Sequence, residues 1–359
     1  MRITNLLASA VGALLLASAA QAASPVGERH LEATNPTAAL RDAQHRPTVR
    51  VTVWYPAAEG AVEQTLDIGP PGKPLFYVGE AAPDAAFADG RPRPVILFSH
   101  GYGGSARMMA WFTTVLAQQG FVVVAVDHPG NNSADPMTVP GAALIWDRVG
   151  DLEVALERAK ADPVIGPHID MRRIGVAGFA TGGFNALAAA GARVDPAHFR
   201  AFCEARPDDG MCKPQPEFPV TAAQAAEALA APDLAADAAR AGDDHSIRGV
   251  SAVFAIAPAF VQAFDPASFA AIDTPVAIVV GQADQVAAPN TNGGAAARAI
   301  PRAQLTVLPG VGHYDFISTC SPEGRASLTI CQIALPQVPT HVRALEAALA
   351  FFSKTLGRP

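Results

Sequence analysis

The segment Gly175-Val176-Ala177-Gly178-Phe179-Ala180-Thr181-Gly182-Gly183 joins two different kinds of pattern. Up to it, Ile174 to Ala177 is a short continuous apolar run, as in a strand covered on both faces; beyond it, Phe184 to Ala190 reads as helix. Between them the residues are small and have the shape G-x-S-x-G with the serine missing. Glycines two before and two after a central residue let strand and helix approach closely across a sharp turn, and the residue between them takes strained backbone geometry. That residue is Ala180.

Outward from this turn the same alternation repeats. Val95 to Phe98, Phe121 to Val126, Val250 to Ile256, Val276 to Val280 and Leu305 to Leu308 are further short apolar runs, expected as strands buried on both faces. Thr48 to Tyr55 alternates instead, with Val49, Val51, Val53 and Tyr55 on one face, which predicts a half-exposed strand in the edge region. Leu152, Ala155, Leu156 and Ala159 fall at helical spacing, and Val342, Leu345, Leu349 and Phe352 predict a similar stripe on the last helix. Strands alternating with helices specify the α/β class, a mostly parallel central sheet wrapped by helices. Two stretches interrupt it. Residues 193–248, with an Ala-rich run from Thr221 to Ala241, predict a helical insertion or lid, and residues 57–93, rich in Pro, Gly and Ala, a long connection.

The 359 residues are 50% apolar and 16% charged, enough to bury one sizeable core, and are read as a single domain over 23–359. A net charge of -7 with no basic run argues against a nucleic-acid partner. The start reads as an address: Arg2, an apolar and small-residue stretch from Leu6 to Ala20, then Ala20-Gln21-Ala22 as a small-x-small cleavage pattern. The expectation is a cleaved signal peptide over 1–22 and a periplasmic or secreted protein with no transmembrane anchor. Cys203, Cys212, Cys320 and Cys331 fit export. Of three possible connectivities, 203–212 with 320–331 closes the shortest loops at least entropic cost. Their spacing lacks a zinc pattern, and neither a metal nor a cofactor is expected.

Residues able to do chemistry fall after the buried runs. Ser99-His100-Gly101-Tyr102-Gly103-Gly104 can turn amide N–H groups toward a ligand. Gly281-Gln282-Ala283-Asp284 places a carboxylate at a strand end, and Pro309-Gly310-Val311-Gly312-His313-Tyr314-Asp315-Phe316 a histidine. Turn, acid and His in this order match a triad in which an acid fixes the imidazole tautomer and the imidazole accepts a nucleophile's proton. The flanking His100, His128, Ser99 and Ser105 are read as local hydrogen-bond partners and Asp315 as a loop-holding group, while Tyr102, Phe179, Trp111 and Trp146 could line an apolar pocket or the core.

On these loops, with Asp127-His128-Pro129-Gly130, the chain resembles the α/β-hydrolases, and within them the secreted branch of dienelactone hydrolases, platelet-activating-factor acetylhydrolases and polyester cutinases. The resemblance spans roughly Thr48 to the C-terminus. It implies ester hydrolysis through an acyl-enzyme on short-chain, lipid-like or polyester substrates. His313 would be the general base, Asp284 its orienting acid, and the N–H groups of Tyr102 and Thr181 the oxyanion hole. Ala180 departs from the pattern, since a methyl group cannot attack a carbonyl, and the chain is expected to be nearly inert as it stands. Two readings remain open at this point: a hydrolase silenced by a Ser-to-Ala change, and a pseudohydrolase that binds an ester or lipid without turnover.

Overall fold

The structure, a computed structural model, describes residues 24–359, so the expected leader lies outside the described residues. Eleven strands form the sheet: β1 (Val26–Thr34), β2 (Thr48–Pro56), β3 (Gln64–Ile68), β4 (Phe76–Pro83), β5 (Arg93–Ser99), β6 (Val122–Asp127), β7 (Ile169–Phe179), β8 (Val250–Ile256), β9 (Val276–Gly281), β10 (Gln304–Leu308) and β11 (Thr319–Cys320). Their spatial order is β10-β9-β8-β7-β5-β6-β2-β1-β4-β11, with β3 on β4. The six strands from β10 to β6 are parallel to their neighbours, while β2 runs antiparallel to both β6 and β1.

Each parallel pair needs a crossover, and the helices that supply it cover both faces of the sheet. Leu152 and Leu156 of helix Arg148–Ala161, Phe184 of helix Thr181–Ala189 and Ala296 of helix Gly293–Ala299 pack on one face. Phe112 and Leu116 of helix Ala110–Gln118 and Phe351 and Phe352 of helix Gln337–Thr355 pack on the other. Because β5, β7, β9 and β10 are parallel, the loops after them open along one edge of the sheet, where ligands of open α/β sheets bind.

Four sequence expectations are corrected. β2 is interior, because β1 covers the flank that the alternation of Thr48 to Tyr55 suggested was open, and Trp54 and Tyr55 are wholly buried. The supposed connection over 57–93 contains β3 and β4, whose burial alternates irregularly around prolines and glycines. β10 is an edge strand, with Leu305 and Val307 exposed, rather than a strand covered twice. On the last helix the buried side chains are Gln337, Thr340, His341, Ala344, Ala348, Phe351 and Phe352, so the stripe is rotated from the predicted one and Val342 faces solvent.

Within 193–248 lie helices Pro196–Ala205, Ala222–Leu229 and Ala235–Ala239. Asp195 and Thr221 cap the first two, each accepting from a backbone amide of the first turn. Disulfides join Cys203 to Cys212 and Cys320 to Cys331. No helix of the described residues is long and apolar enough to cross a membrane.

Candidate active site

β7 delivers the turn. Ala180 has φ +52° and ψ -116°, a conformation that costs an L-residue about 1–3 kcal/mol and persists only where its surroundings over-determine it. They do so here. The Ala180 N–H donates to the Ile256 carbonyl at 2.9 Å, and the Ala180 carbonyl accepts from Phe184 and Ala259 at 3.1 and 3.0 Å. A Cβ on Gly178 would stand 2.1 Å from the Gly182 carbonyl oxygen, and one on Gly182 would stand 1.8 Å from that of Ser99. The spacing of small residues seen in the sequence is therefore what brings β7, its helix and the loop after β5 together.

The loop after β5 is fixed from behind. His100 Nε2 accepts from the His128 amide at 3.1 Å, so its Nδ1 carries the proton that reaches the Gly101 carbonyl at 2.7 Å, and Asn131 accepts from the Gly103 amide at 2.8 Å. Among the described residues the amides of Tyr102 and Thr181 donate to no protein acceptor, and both residues line the cleft that holds Ala180 and His313.

The carboxylate and the imidazole meet. His313 Nδ1 lies 2.7 Å from Asp284 Oδ2, both side chains almost wholly buried, while Asp284 Oδ1 accepts from the Val286 and Ala287 amides at 2.9 and 2.8 Å. With the carboxylate so held, the His313 proton sits on Nδ1 and Nε2 is left as the acceptor toward the cleft. Burial pulls the imidazole pKa down, but Asp284, with a smaller contribution from Glu217, outweighs it and the net direction is upward. The Phe179 ring packs against His313 with centroids 5.0 Å apart. His313 and Ala180 line the same cleft, and the methyl of Ala180 offers the imidazole no proton.

Other singled-out residues fall where their local roles suggest. The Ser105 hydroxyl accepts from the Met108 amide, and Asp315 accepts from the Gly312 amide. Tyr102 and Phe179 line the cleft, Trp146 lines the apolar groove that adjoins it, and Trp111 stacks on His341.

Two arrangements had no signal in the sequence. The first is a wholly buried polar chain behind the loop after β5: Arg41 holds Asp151 through two bonds of 2.7 and 2.8 Å, Asp151 meets His128 Nδ1 at 2.9 Å, and His128 Nε2 meets the Ser99 hydroxyl at 2.9 Å. Burial and the neighbouring Arg148 hold the His128 pKa down to about 3 in spite of Asp151. The second is a strap across the cleft. Tyr102 donates its hydroxyl to the Phe218 carbonyl at 2.9 Å, and Tyr314 donates to Glu217 Oε1 at 2.7 Å, pinning two adjacent residues of the insertion.

A family model described as serine aminopeptidase, S33, matches residues 90–316, more than half of the chain. The chain belongs to the S33 serine aminopeptidase family. The matched S33 region takes in the loop after β5, the turn at Ala180, Asp284 and His313. No curated protein matches the chain. Among solved structures, a ferulic acid esterase from Streptomyces cinnamoneus is similar with a TM-score of 0.58 at 19% identity, over 96% of this chain and 94% of that one. The sheet order, the crossover helices and this likeness establish the α/β-hydrolase fold for this S33 member. The family is named for a serine, and this chain carries alanine at the turn.

Proposed function

We propose that the chain is a secreted carboxylic ester hydrolase scaffold, of the branch that includes dienelactone hydrolases, platelet-activating-factor acetylhydrolases and cutinases, with its nucleophile position occupied by Ala180. The observation that carries this reading is the positive-φ turn at Ala180 in one cleft with the Asp284–His313 pair. A serine at 180 would attack the ester carbonyl while His313 Nε2 takes its proton. The amides of Tyr102 and Thr181 would receive the oxyanion; as it collapses the ester C–O bond breaks and His313 returns its proton to the departing alcohol. The acyl-enzyme is then cleaved by a water that the neutral His313 deprotonates, the proton passing back to the serine as the acid leaves. Asp284 keeps the imidazole in the required tautomer throughout. No metal or cofactor takes part in these steps. The likeness to an esterase supports an ester as substrate, and the two disulfides support an oxidising compartment.

With alanine in place only the oxyanion site and ground-state binding remain, which leaves a residual rate of roughly 10³ to 10⁴ over water. The same alanine favours a second reading, a pseudohydrolase that holds an ester or lipid without turning it over. Hydrolysis of p-nitrophenyl acetate and butyrate by the mature chain and its Ala180→Ser variant separates them. The scaffold reading expects a gain on the order of 10³-fold or more in the variant. A folded but silent variant would give the lead to the binding reading, and an active parent would refute the assignment of position 180.

A further inference from the structure

The insertion does more than roof the cleft. Between its helices Pro196–Ala205 and Ala222–Leu229 and the segment Ala142–Trp146 lies a groove of about 1530 Å³ counted to its open mouth, against about 610 Å³ for the cleft at Ala180. Tyr102, Met211, Gln215 and Phe260 line both, so groove and cleft are continuous. The groove walls are aliphatic and aromatic, among them Ile145, Val194, Phe199 and Leu229, while the charged groups Arg200, Glu204 and Lys213 are all exposed at its rim. The Cys203–Cys212 disulfide also lines the groove and ties helix Pro196–Ala205 to the turn Gly210–Cys212 that carries Met211.

We infer that this groove is the binding site for an unbranched alkyl chain of the ester, whose carbonyl then lies in the cleft at position 180. The inference rests on the ester-binding reading of that cleft but not on turnover. A long apolar chain suits walls that present no charged group inside the rim, and continuity through Tyr102, Met211 and Phe260 lets one molecule occupy both spaces. The chemistry of the chain is the same whether it belongs to the acyl or the alcohol half.

The chain as it exists, with Ala180, is suited to the test because on that reading its residual turnover is too slow to deplete the ligand during a titration. Calorimetry, with Trp146 fluorescence as a second signal, would follow binding of methyl esters from butanoate to decanoate, and decyl acetate beside methyl decanoate. Affinity should rise about fourfold per methylene until the groove is filled. The acyl half is assigned if methyl decanoate binds tighter than decyl acetate, and the alcohol half if the reverse holds. Ala143→Phe and Ala225→Phe each put a ring into the groove from a different helix, and neither residue lines the cleft at position 180. Each should abolish the gain with length and leave acetate hydrolysis by the Ala180→Ser protein unchanged, thermal unfolding confirming that both fold.

Affinity independent of chain length, or dependent on it but indifferent to both filling variants, would overturn the groove assignment. An Ala180→Ser protein that fails to hydrolyse any ester while the length dependence and its loss in the filling variants persist would instead refute the hydrolase reading and leave the groove standing.

Discussion

Asp284 divides its two oxygens between tasks: Oδ2 meets His313 Nδ1 at 2.7 Å, and Oδ1 is held by the backbone amides of Val286 and Ala287. The carboxylate therefore cannot rotate without breaking three bonds, and the imidazole it orients has one tautomer. In the Ala180→Ser background, Asp284→Asn should lower kcat about 10⁴-fold by presenting the wrong partner to Nδ1. A general base works unprotonated, so kcat/KM should rise with pH through the His313 pKa, which lies above the ordinary value of about 6.5. Asp284→Asn removes the main contribution raising it, and the acid limb should move to lower pH. A pH–rate profile of the two proteins checks both.

The strap depends on two hydroxyls. Tyr314→Phe removes a bond to a carboxylate and Tyr102→Phe one to a carbonyl, with the aromatic rings left in place. Each should loosen residues 215–220, seen as faster amide exchange there, and at about 1–2 kcal/mol per bond should raise KM roughly five- to thirtyfold in the Ala180→Ser protein, with a smaller change in kcat.

Gly182 has no room for a side chain. Gly182→Ala puts a methyl 1.8 Å from the Ser99 carbonyl oxygen, a clash with backbone that no rotamer relieves. The expected cost is about 3 kcal/mol or more, read as a lower urea midpoint, whereas Gly150→Ala, where a Cβ meets nothing, should leave the midpoint nearly unchanged or raise it.

Stability should fall as the medium is acidified below pH 6.5. His100, His128 and His341 are buried, and burial holds all three below the ordinary histidine value, His128 to about 3 and His341 to about 4. Between about 6.5 and these values the unfolded chain binds protons that the folded chain refuses, and each such group removes about 1.4 kcal/mol per pH unit. His313 works the other way, since its raised pKa contributes stability below 6.5 that is lost as pH rises, while His30 and His168 shift in opposite directions. Three fully or largely buried groups against one predict a net loss of at least about 1 kcal/mol per unit from pH 6.5 to 5, measurable by denaturant unfolding at each pH.

What the sequence made legible follows burial and chain distance. β5 to β9 are covered on both faces, which writes them as unbroken apolar runs. β1, with Glu28, Arg29 and His30 in its middle, and the short β3 and β4 carry no such run and were invisible. The Asp284–His313 pair could be foreseen because each residue follows a recognisable strand. The strap and the buried chain could not: Tyr102 and Phe218 are 116 residues apart, Tyr314 and Glu217 97, Arg41 and Asp151 110, and none of these residues stands in a local pattern that names its partner.

The backbone at position 180 has a bearing on descent. Alanine gains nothing over serine in tolerating φ +52°, so the turn carries the same strain whichever residue occupies it. Glycine would relieve that strain, and its absence leaves the turn shaped for a side chain. Every alanine codon is one base from a serine codon. A single nucleotide change therefore separates this alanine from a serine on the same strained turn, in the same cleft as His313.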